Sequence, residues 1–572
     1  MKTHWQMHQP DQDLVEKLSR GLNYHPTTAA VLVNRHISEP SQARDFLNAS
    51  INNLRSPFDL KDMDAAVNRI HKAITAGEKI LIFGDYDVDG VTAVVILLNF
   101  LRMAGADVSY YIPHRITEGY SIQAMHISRY VRPHQFDLII TADCGSGSHQ
   151  AVEAANRFGI DTVITDHHNI SEDIPPALAV INPKRHDCHA GLQNLAGVGV
   201  AFFLVICLRT RLREAGFWDK RPEPNLKDYC DLVALGTVAD MVPLIEENRI
   251  LSKTGFELIK AGRRPGLRAL LEASAIRDRS LNADDIAFRL APRLNAAGRM
   301  DHAAQAVNLL IAEDTATAAK TAQTLNLLNR KRQDLEKGIL ADIQRFIDSN
   351  PSLLRQRSLV LSSPGWHAGV LGIVASRLMR KYSRPVILIT VQDGTGKGSA
   401  RSLEGINLYD ALAGCRTLLE SFGGHALAAG LQIREEKIID FQKAFETQIQ
   451  QTASPESLIP ALRIDGELDL ADISDDLIDE LELLMPFGTD NTEPLFLAGN
   501  INIINSKILG KSHRRMVLSQ PAGNTTKTFA AIHFNVSDED AKKFHFDQMV
   551  FRLQWNRWNG KKTAQIVIED VQ

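Results

Sequence analysis

Three carboxylates alternate in Gly84-Asp85-Tyr86-Asp87-Val88-Asp89-Gly90. Held this close they repel one another, so a cation is expected among them. Hard divalent ions such as Mg²⁺ and Mn²⁺ take oxygen ligands of this kind. A solvated acidic turn, or a helix cap built on Asp89, accounts for the same stretch equally well. The tie breaks further along the chain. Asp143 lies in Ala142-Asp143-Cys144-Gly145, Asp166-His167-His168 follows Asp161-Thr162-Val163-Ile164-Thr165, and Asp240 lies in Val238-Ala239-Asp240-Met241-Val242-Pro243. Metal-capable residues that recur at the ends of apolar runs favour a metal centre over a set of unrelated turns.

The elements that must position these residues follow from periodicity. Lys79-Ile80-Leu81-Ile82-Phe83 reads as a buried strand, and Val91 to Leu98 as the start of a helix. Strand-like runs at 79–83, 107–112, 136–141, 161–165 and 177–182 alternate with helical segments. That is the pattern of an α/β fold with a doubly wound, mostly parallel sheet. In such a sheet ligands bind at the carboxyl ends of the strands, where the acids lie. Leu195-Ala196-Gly197-Val198-Gly199 opens another apolar helical run, and helix packing is the expected reason for its glycines.

The rest of the chain divides by composition. Residues 1–50 look mostly helical, with Pro26 and Ser41 near helix starts, and carry no evident chemistry. Ala303 to Phe346 is rich in helix formers and reads as a long connecting helix. Its Arg330-Lys331-Arg332 suits a phosphate backbone, or a solvated face. A second α/β unit starts near Arg357, with strands at 358–361 and 385–390. Around them lie three glycine-rich loops: Gly365-Trp366-His367-Ala368-Gly369, Lys397-Gly398-Ser399-Ala400-Arg401-Ser402 and Gly423-Gly424-His425-Ala426. Such loops suit anion capture. After a linker at Thr452-Ala453-Ser454-Pro455 about five short strands fit a small barrel such as an OB-fold. The expected divisions are 1–55, 56–300, 301–352, 353–452 and 453–572.

Within the barrel, Lys511-Ser512-His513-Arg514-Arg515 is a basic cluster, and Trp555-Asn556-Arg557-Trp558 interleaves aromatics with cations. Phosphates on Arg514 and Arg557, with bases stacked on Trp555 and Trp558, would make a single-strand platform. Tryptophans that merely cap a hairpin are the alternative. Net charge is −4 with a pI near 6.6, so any nucleic-acid binding must be local. The five cysteines are scattered, without paired zinc spacing, as in a reducing cytoplasm. No signal peptide or membrane span is evident.

In this order, the motifs resemble the DHH phosphoesterase superfamily, and within it the RecJ group of single-strand-specific 5′→3′ exonucleases. Asp85-Tyr86-Asp87-Val88-Asp89-Gly90 resembles the first motif, Asp143 the second, Asp166-His167-His168 the third and Asp240 the fourth. Gly423-Gly424-His425-Ala426 is similar to the signature of the associated DHHA1 domain. The resemblance runs from about residue 60 to the C-terminus. It implies two divalent metal ions, Mn²⁺ or Mg²⁺, on Asp87, Asp89, Asp143, His167 and Asp240, with Asp85 a further ligand or a group behind them. Asp143 would bridge. His168 would meet the scissile phosphate or the leaving oxygen, and Asp166 would orient an imidazole. A 5′-phosphate pocket maps onto Arg115, Arg299, Ser399 and Arg401, with His367 and His425 lining the cleft.

The reading is therefore a metal-dependent exonuclease that degrades single-stranded DNA from the 5′ end, in repair and recombination. Its site would lie between a DHH domain and a DHHA1 domain. A monomer is expected, with a single-strand-binding protein and a RecQ-type helicase as partners and no membrane. A related hydrolase of short oligonucleotides or cyclic dinucleotides is one rival, against which the barrel argues. A catalytically dead binding scaffold is another, against which the complete ligand set argues.

Overall fold

In the computed structural model the run at Lys79–Gly84 is the second strand of a five-stranded sheet that is parallel throughout. Across the sheet the strands are Asp107–Tyr111, Lys79–Gly84, Leu138–Ala142, Asp161–Thr165 and Ala179–Ile181. The chain leaves Lys79–Gly84 toward one edge, returns, and builds outward on the other side. This order puts a topological switch point between Lys79–Gly84 and Leu138–Ala142, where a doubly wound sheet opens a crevice. The structure describes residues 4–276, 281–454, 458–510, 512–521, 527–558 and 560–572.

The sheet is sandwiched because its strands are apolar on both faces. Helices Met63–Ala76, Val88–Met103, Gly197–Glu214 and Cys230–Asp240 share one large core with the strands. On the other face Phe83, Ile139 and Cys144 pack with Ile127, Val131 and Ala155. Among the described residues no helix is long and apolar enough to cross a membrane.

The connecting helix is Thr315–Ser349, shorter than the 303–346 run because Ala304–Leu310 is a separate helix. Its 35 residues span about 52 Å at 1.5 Å per residue. Ala318, Ala322 and Leu325 pack in the first core, while Ile339, Ile343 and Ile347 pack in the core of the second α/β unit. The helix is thus a strut anchored at both ends. Arg332 is not on a solvated or phosphate-facing surface: it is buried and pairs with Glu336 at 2.8 Å.

The second unit has a mixed sheet in the order Ser421–Gly424, Ala428–Arg434, Thr395–Arg401, Val386–Gln392, Leu359–Ser363. Two stretches expected as loops are therefore largely strands. Lys397 to Arg401 pairs on both sides, and Gly423-Gly424 pairs with Ala429 and Gly430. Small residues read as loop formers locally, but neighbouring strands, two for Thr395–Arg401 and one for the edge strand Ser421–Gly424, supply ladder partners that override that preference. Trp366 packs in this unit's core beside Val370 and Leu388.

The C-terminal barrel closes because Phe496–Leu509 pairs with both His513–Ser519 and His545–Trp558. Thr528–His533 and Lys561–Val571 complete the ring. Residues 1–50 are mostly helical, with helices Gln12–Leu22, Pro26–Asn34 and Pro40–Leu47. They begin with a strand, His4–Met7, parallel to Ala461–Ile464, and their helices share the barrel's core through Val15, Leu18, Leu32 and Leu47.

Candidate metal centre and substrate cleft

Each parallel strand hands its following acid to the next strand. Asp85 N donates to Ala142 O at 3.1 Å, Asp143 N to Thr165 O at 3.0 Å, and Asp166 N to Ile181 O at 3.1 Å. Three acids from distant stretches thereby line the carboxyl edge of the sheet at its switch point. Asp143 sits at φ 63°, a left-handed conformation that costs most residues but that Asp tolerates comparatively well.

Helices bring the rest. Asp87, not Asp89, caps helix Val88–Met103 by accepting from Asp89 N and Gly90 N. Asp89 is left to face the next helix, whose Gly197 N and Val198 N donate to its two oxygens at 2.7 and 2.9 Å. Those amides carry the positive end of the helix dipole. Asp240 arrives on the last turn of helix Cys230–Asp240, not at a strand end. The ligand-type atoms form three overlapping groups, Asp85/Asp87/Asp143, Asp89/His167/Asp240 and Asp143/His167/His168, each within 4.8 Å.

The electrostatics fit cations. Burial, then the charge of Asp87, pushes the Asp89 carboxyl up to about 7. Burial and repulsion from Asp89 and Asp87 push Asp240 up to about 9. Asp85 and Asp143 are raised for the same reasons. His167 is held neutral, down at about 3, by burial and then by His168. Asp85 Oδ1, Asp143 Oδ1 and both ring nitrogens of His167 are buried without a hydrogen-bond partner. Unpaired buried oxygens and a neutral imidazole are the donor set that divalent metals use, and the nitrogen favours Mn²⁺ over Mg²⁺.

Asp166 behaves differently. Burial pushes its pKa up, but the hydrogen bond and charge of His168 outweigh that and hold it below the usual range. It accepts from His168 Nδ1 at 2.8 Å and from Ser146 N at 2.9 Å. Burial lowers the His168 pKa, yet Asp166 more than compensates, so it rises to about 9. His168 Nε2 makes no hydrogen bond among the described residues. Tyr120 completes this corner, its hydroxyl 3.1 Å from His168 Nδ1 and 3.4 Å from Asp143 O.

Across the cleft the His425 ring faces His168 at 6.5 Å between centroids. His367 lies on the same unit, accepting from Gly369 N. Arg115 stacks over Tyr86 at 4.6 Å. Arg299 donates to Gly369 O, and Arg401 and Ser399 lie against the first turn of helix Leu371–Tyr382. Arg115, Arg299 and Arg401 bridge no carboxylate among the described residues. Burial, then Arg115 and Arg401, lowers the Arg299 guanidinium to about 9. Arg293 bonds Asn326 Oδ1 and Arg289 O. Three mutually repelling arginines beside a helix N-terminus call for an anion.

The expected platform on the barrel is a correction. Arg514 is 1% exposed, and its guanidinium bonds Asp540 O and Lys543 O inside the fold. Trp555 is buried with Nε1 on Asp479, and Arg557 forks onto Glu482. Helix Asp475–Leu483 supplies both acids, so the hairpin is tied to a neighbour. The Trp558 side chain and Lys511 lie outside the described residues.

Spacing alone missed Tyr120, Gly197 and Val198. Helix packing was the expected reason for Gly197, but a Cβ there would meet Asp143 Oδ1 at 2.4 Å. Gly197→Ala is therefore expected to push Asp143 aside and weaken Mn²⁺ binding, with activity falling on the order of 10–100-fold. Metal titration and circular dichroism check this; unchanged Mn²⁺ affinity in the folded variant counts against it.

Three family models match: "DHH family, N-terminal domain" over residues 79–237, "DHHA1 domain" over 356–451 and "RecJ OB domain" over 464–570. The chain is 34% identical to the single-stranded-DNA-specific exonuclease RecJ of Bacillus subtilis, covering 100% of this chain and 71% of that protein. It is 36% identical to that of Escherichia coli over 92% of both. The crystal structure of RecJ with Mn²⁺ from Thermus thermophilus is similar at a TM-score of 0.83 and 29% identity, covering 100% of this chain and 79% of that one.

Proposed function

The chain belongs to the RecJ family of single-stranded-DNA-specific exonucleases, and from that premise we propose that its cleft hydrolyses single strands from the 5′ end, releasing mononucleotides. It is a metal-dependent exonuclease of single-stranded DNA that works with Mn²⁺ or Mg²⁺. The observation that carries the polarity is the cluster of Arg115, Arg299 and Arg401, unpaired with any carboxylate among the described residues, with Arg115 and Arg299 beside the acids and Arg401 on the second unit. A terminal 5′-phosphate, doubly charged, is the strand feature that such a cluster distinguishes best.

Two ions would be held by Asp85, Asp87, Asp89, Asp143, His167 and Asp240, with Asp143 and His167 each belonging to two of the three groups. Bound cations supply Lewis acidity, lowering the pKa of a water and offsetting charge on the phosphoryl oxygens. The protein's own residues do the rest. The Gly197 and Val198 amides fix Asp89. Asp166 keeps a proton on His168 Nδ1 and orients the ring, so that Nε2–H can donate toward the departing 3′-oxygen or a phosphoryl oxygen. His425 faces it from the second unit. The arginines and Ser399 anchor the 5′ end, one nucleotide from the bond that breaks.

A role in repair and recombination follows from the substrate. A cytoplasmic monomer that receives strands from a single-strand-binding protein and a RecQ-type helicase fits that role. The test is a Mn²⁺ time course on matched 5′-phosphate and 5′-hydroxyl single strands, end-labelled, with a blunt duplex. Early mononucleotide from the 5′ label and a spared duplex are expected. Arg401→Ala should lose on the order of 10-fold or more on 5′-phosphate strands and little on 5′-hydroxyl strands. Equal loss on both removes the 5′-phosphate pocket; first release from the 3′ label overturns the polarity.

A further inference from the structure

We propose that Lys184 is a substrate-contacting residue, whose ammonium binds a backbone phosphate of the strand beside the metal centre. The inference rests on the single-strand reading above.

Lys184 lies on Asn182-Pro183-Lys184-Arg185, the turn that follows edge strand Ala179–Ile181. Its flanks are buried anchors. Asn182, 1% exposed, donates from Nδ2 to Ser146 Oγ and to His168 O, both at 2.8 Å, and accepts Lys184 N at 2.8 Å. Arg185, 7% exposed, donates to Asp62 and Val180 O and forks onto Asp187. The turn is thereby locked to the loop that carries His168. Between the two anchors one side chain, that of Lys184, is exposed and makes no hydrogen bond or ion pair among the described residues.

Its surroundings are nevertheless charged. Desolvation lowers the Lys184 pKa, against the pull of Asp240, Asp166 and Asp143. His167 in the centre and His425 on the opposite wall both feel its charge. The turn is tied through Asn182 to the His168 carbonyl, so Lys184 stands at the rim of the metal centre, within electrostatic reach of its carboxylates yet paired with none among the described residues. A lysine that served only the fold would close onto one of those acids. A lysine held on a rigid turn and left unpaired is placed to meet an anion that arrives. In this cleft that anion is a strand phosphate. Lysine acts there as a point charge, so position matters more than a fork geometry.

The test is steady-state degradation of 5′-phosphorylated single strands in Mn²⁺ across a salt series, for the wild type, Lys184→Met and Lys184→Arg. Lys184→Met should lower kcat/KM about 10- to 100-fold, the worth of one charge-assisted contact. Its slope of log KM against log salt should shallow by about 0.7, one phosphate contact on a single strand. Lys184→Arg should recover most of the loss, and melting temperatures should match the wild type. Wild-type kcat/KM and salt slope in Lys184→Met overturn the proposal. So does a loss fully restored by raising Mn²⁺, which would assign the lysine to the metals. A wild type that leaves single strands intact fails the parent reading, and is thereby told apart from failure of Lys184 alone.

Discussion

Asp143→Ala is expected to cut hydrolysis of single-stranded DNA on the order of 10³-fold while leaving strand binding measurable. Removing a group that merely orients a ligand costs roughly 10–100-fold. Asp143 stands closer to the chemistry, since its carboxylate belongs to two of the three ligand groups and lies 3.2 Å from His167 Nε2. Its loss disturbs both ions at once. Binding should survive because Arg115, Arg299 and Arg401 make no hydrogen bond to Asp143 and can still take the strand's phosphates. Full activity of the alanine variant would refute the metal assignment.

The same substitution has an opposite effect on stability that serves as a control. Burial, then repulsion from Asp89, Asp87, Asp85 and Asp240, raises the Asp143 pKa well above the usual range. A carboxyl whose folded pKa exceeds its unfolded value binds more protons when folded. Stability therefore falls as pH rises from about 4, the unfolded value, and the deficit persists at neutral pH. Without metal, Asp143→Ala should melt no lower than the wild type. Mn²⁺ should raise the wild-type melting temperature, because it binds the folded state alone, and raise the variant's much less. A variant that melts well below the wild type without metal would mean that Asp143 holds the fold.

The second large effect lies far from the chemistry. Arg249→Met is expected to destabilise the joint between the catalytic unit and the barrel by about 3 kcal/mol or more. Arg249 is 1% exposed, on helix Glu246–Ala261. Its guanidinium donates to Phe46 O at 3.0 Å, Leu484 O at 2.7 Å and Leu483 O at 2.9 Å, with the Phe46 ring 4.1 Å away. Those carbonyls end helices Pro40–Leu47 and Asp475–Leu483, where the negative poles of the dipoles lie. Burial, then Arg35, lowers the guanidinium to about 9, so the charge is retained at neutral pH. Methionine fills much of the space but strands the Phe46 and Leu483 carbonyls, while Leu484 O keeps the Asn491 amide at 2.9 Å. Thermal and urea unfolding should show the barrel and the N-terminal helices loosening at lower temperature, with the metal centre intact. An unchanged melt would show that the carbonyls find other partners.

The amino-acid sequence by itself determined the local chemistry. The apolar runs at 79–83, 136–141 and 161–165 read as buried strands, which puts the acids after them at carboxyl ends. That is why Asp85, Asp143 and Asp166 to His168 were legible, and why the alternation of strand and helix implied a doubly wound sheet. Tertiary structure decided what depends on partners distant in the chain. Asp240 reaches the centre from a helix end, and Gly197 is small because Asp143 presses on it, which no local pattern encodes. Arg514, Trp555 and Arg557 look like a nucleic-acid platform in composition, but neighbouring carbonyls and acids consume them. The Trp5 indole donates to Asp570, 565 residues away. Periodicity reports which face of an element is buried; only the folded chain determines what that face, or a charge beside it, is buried against.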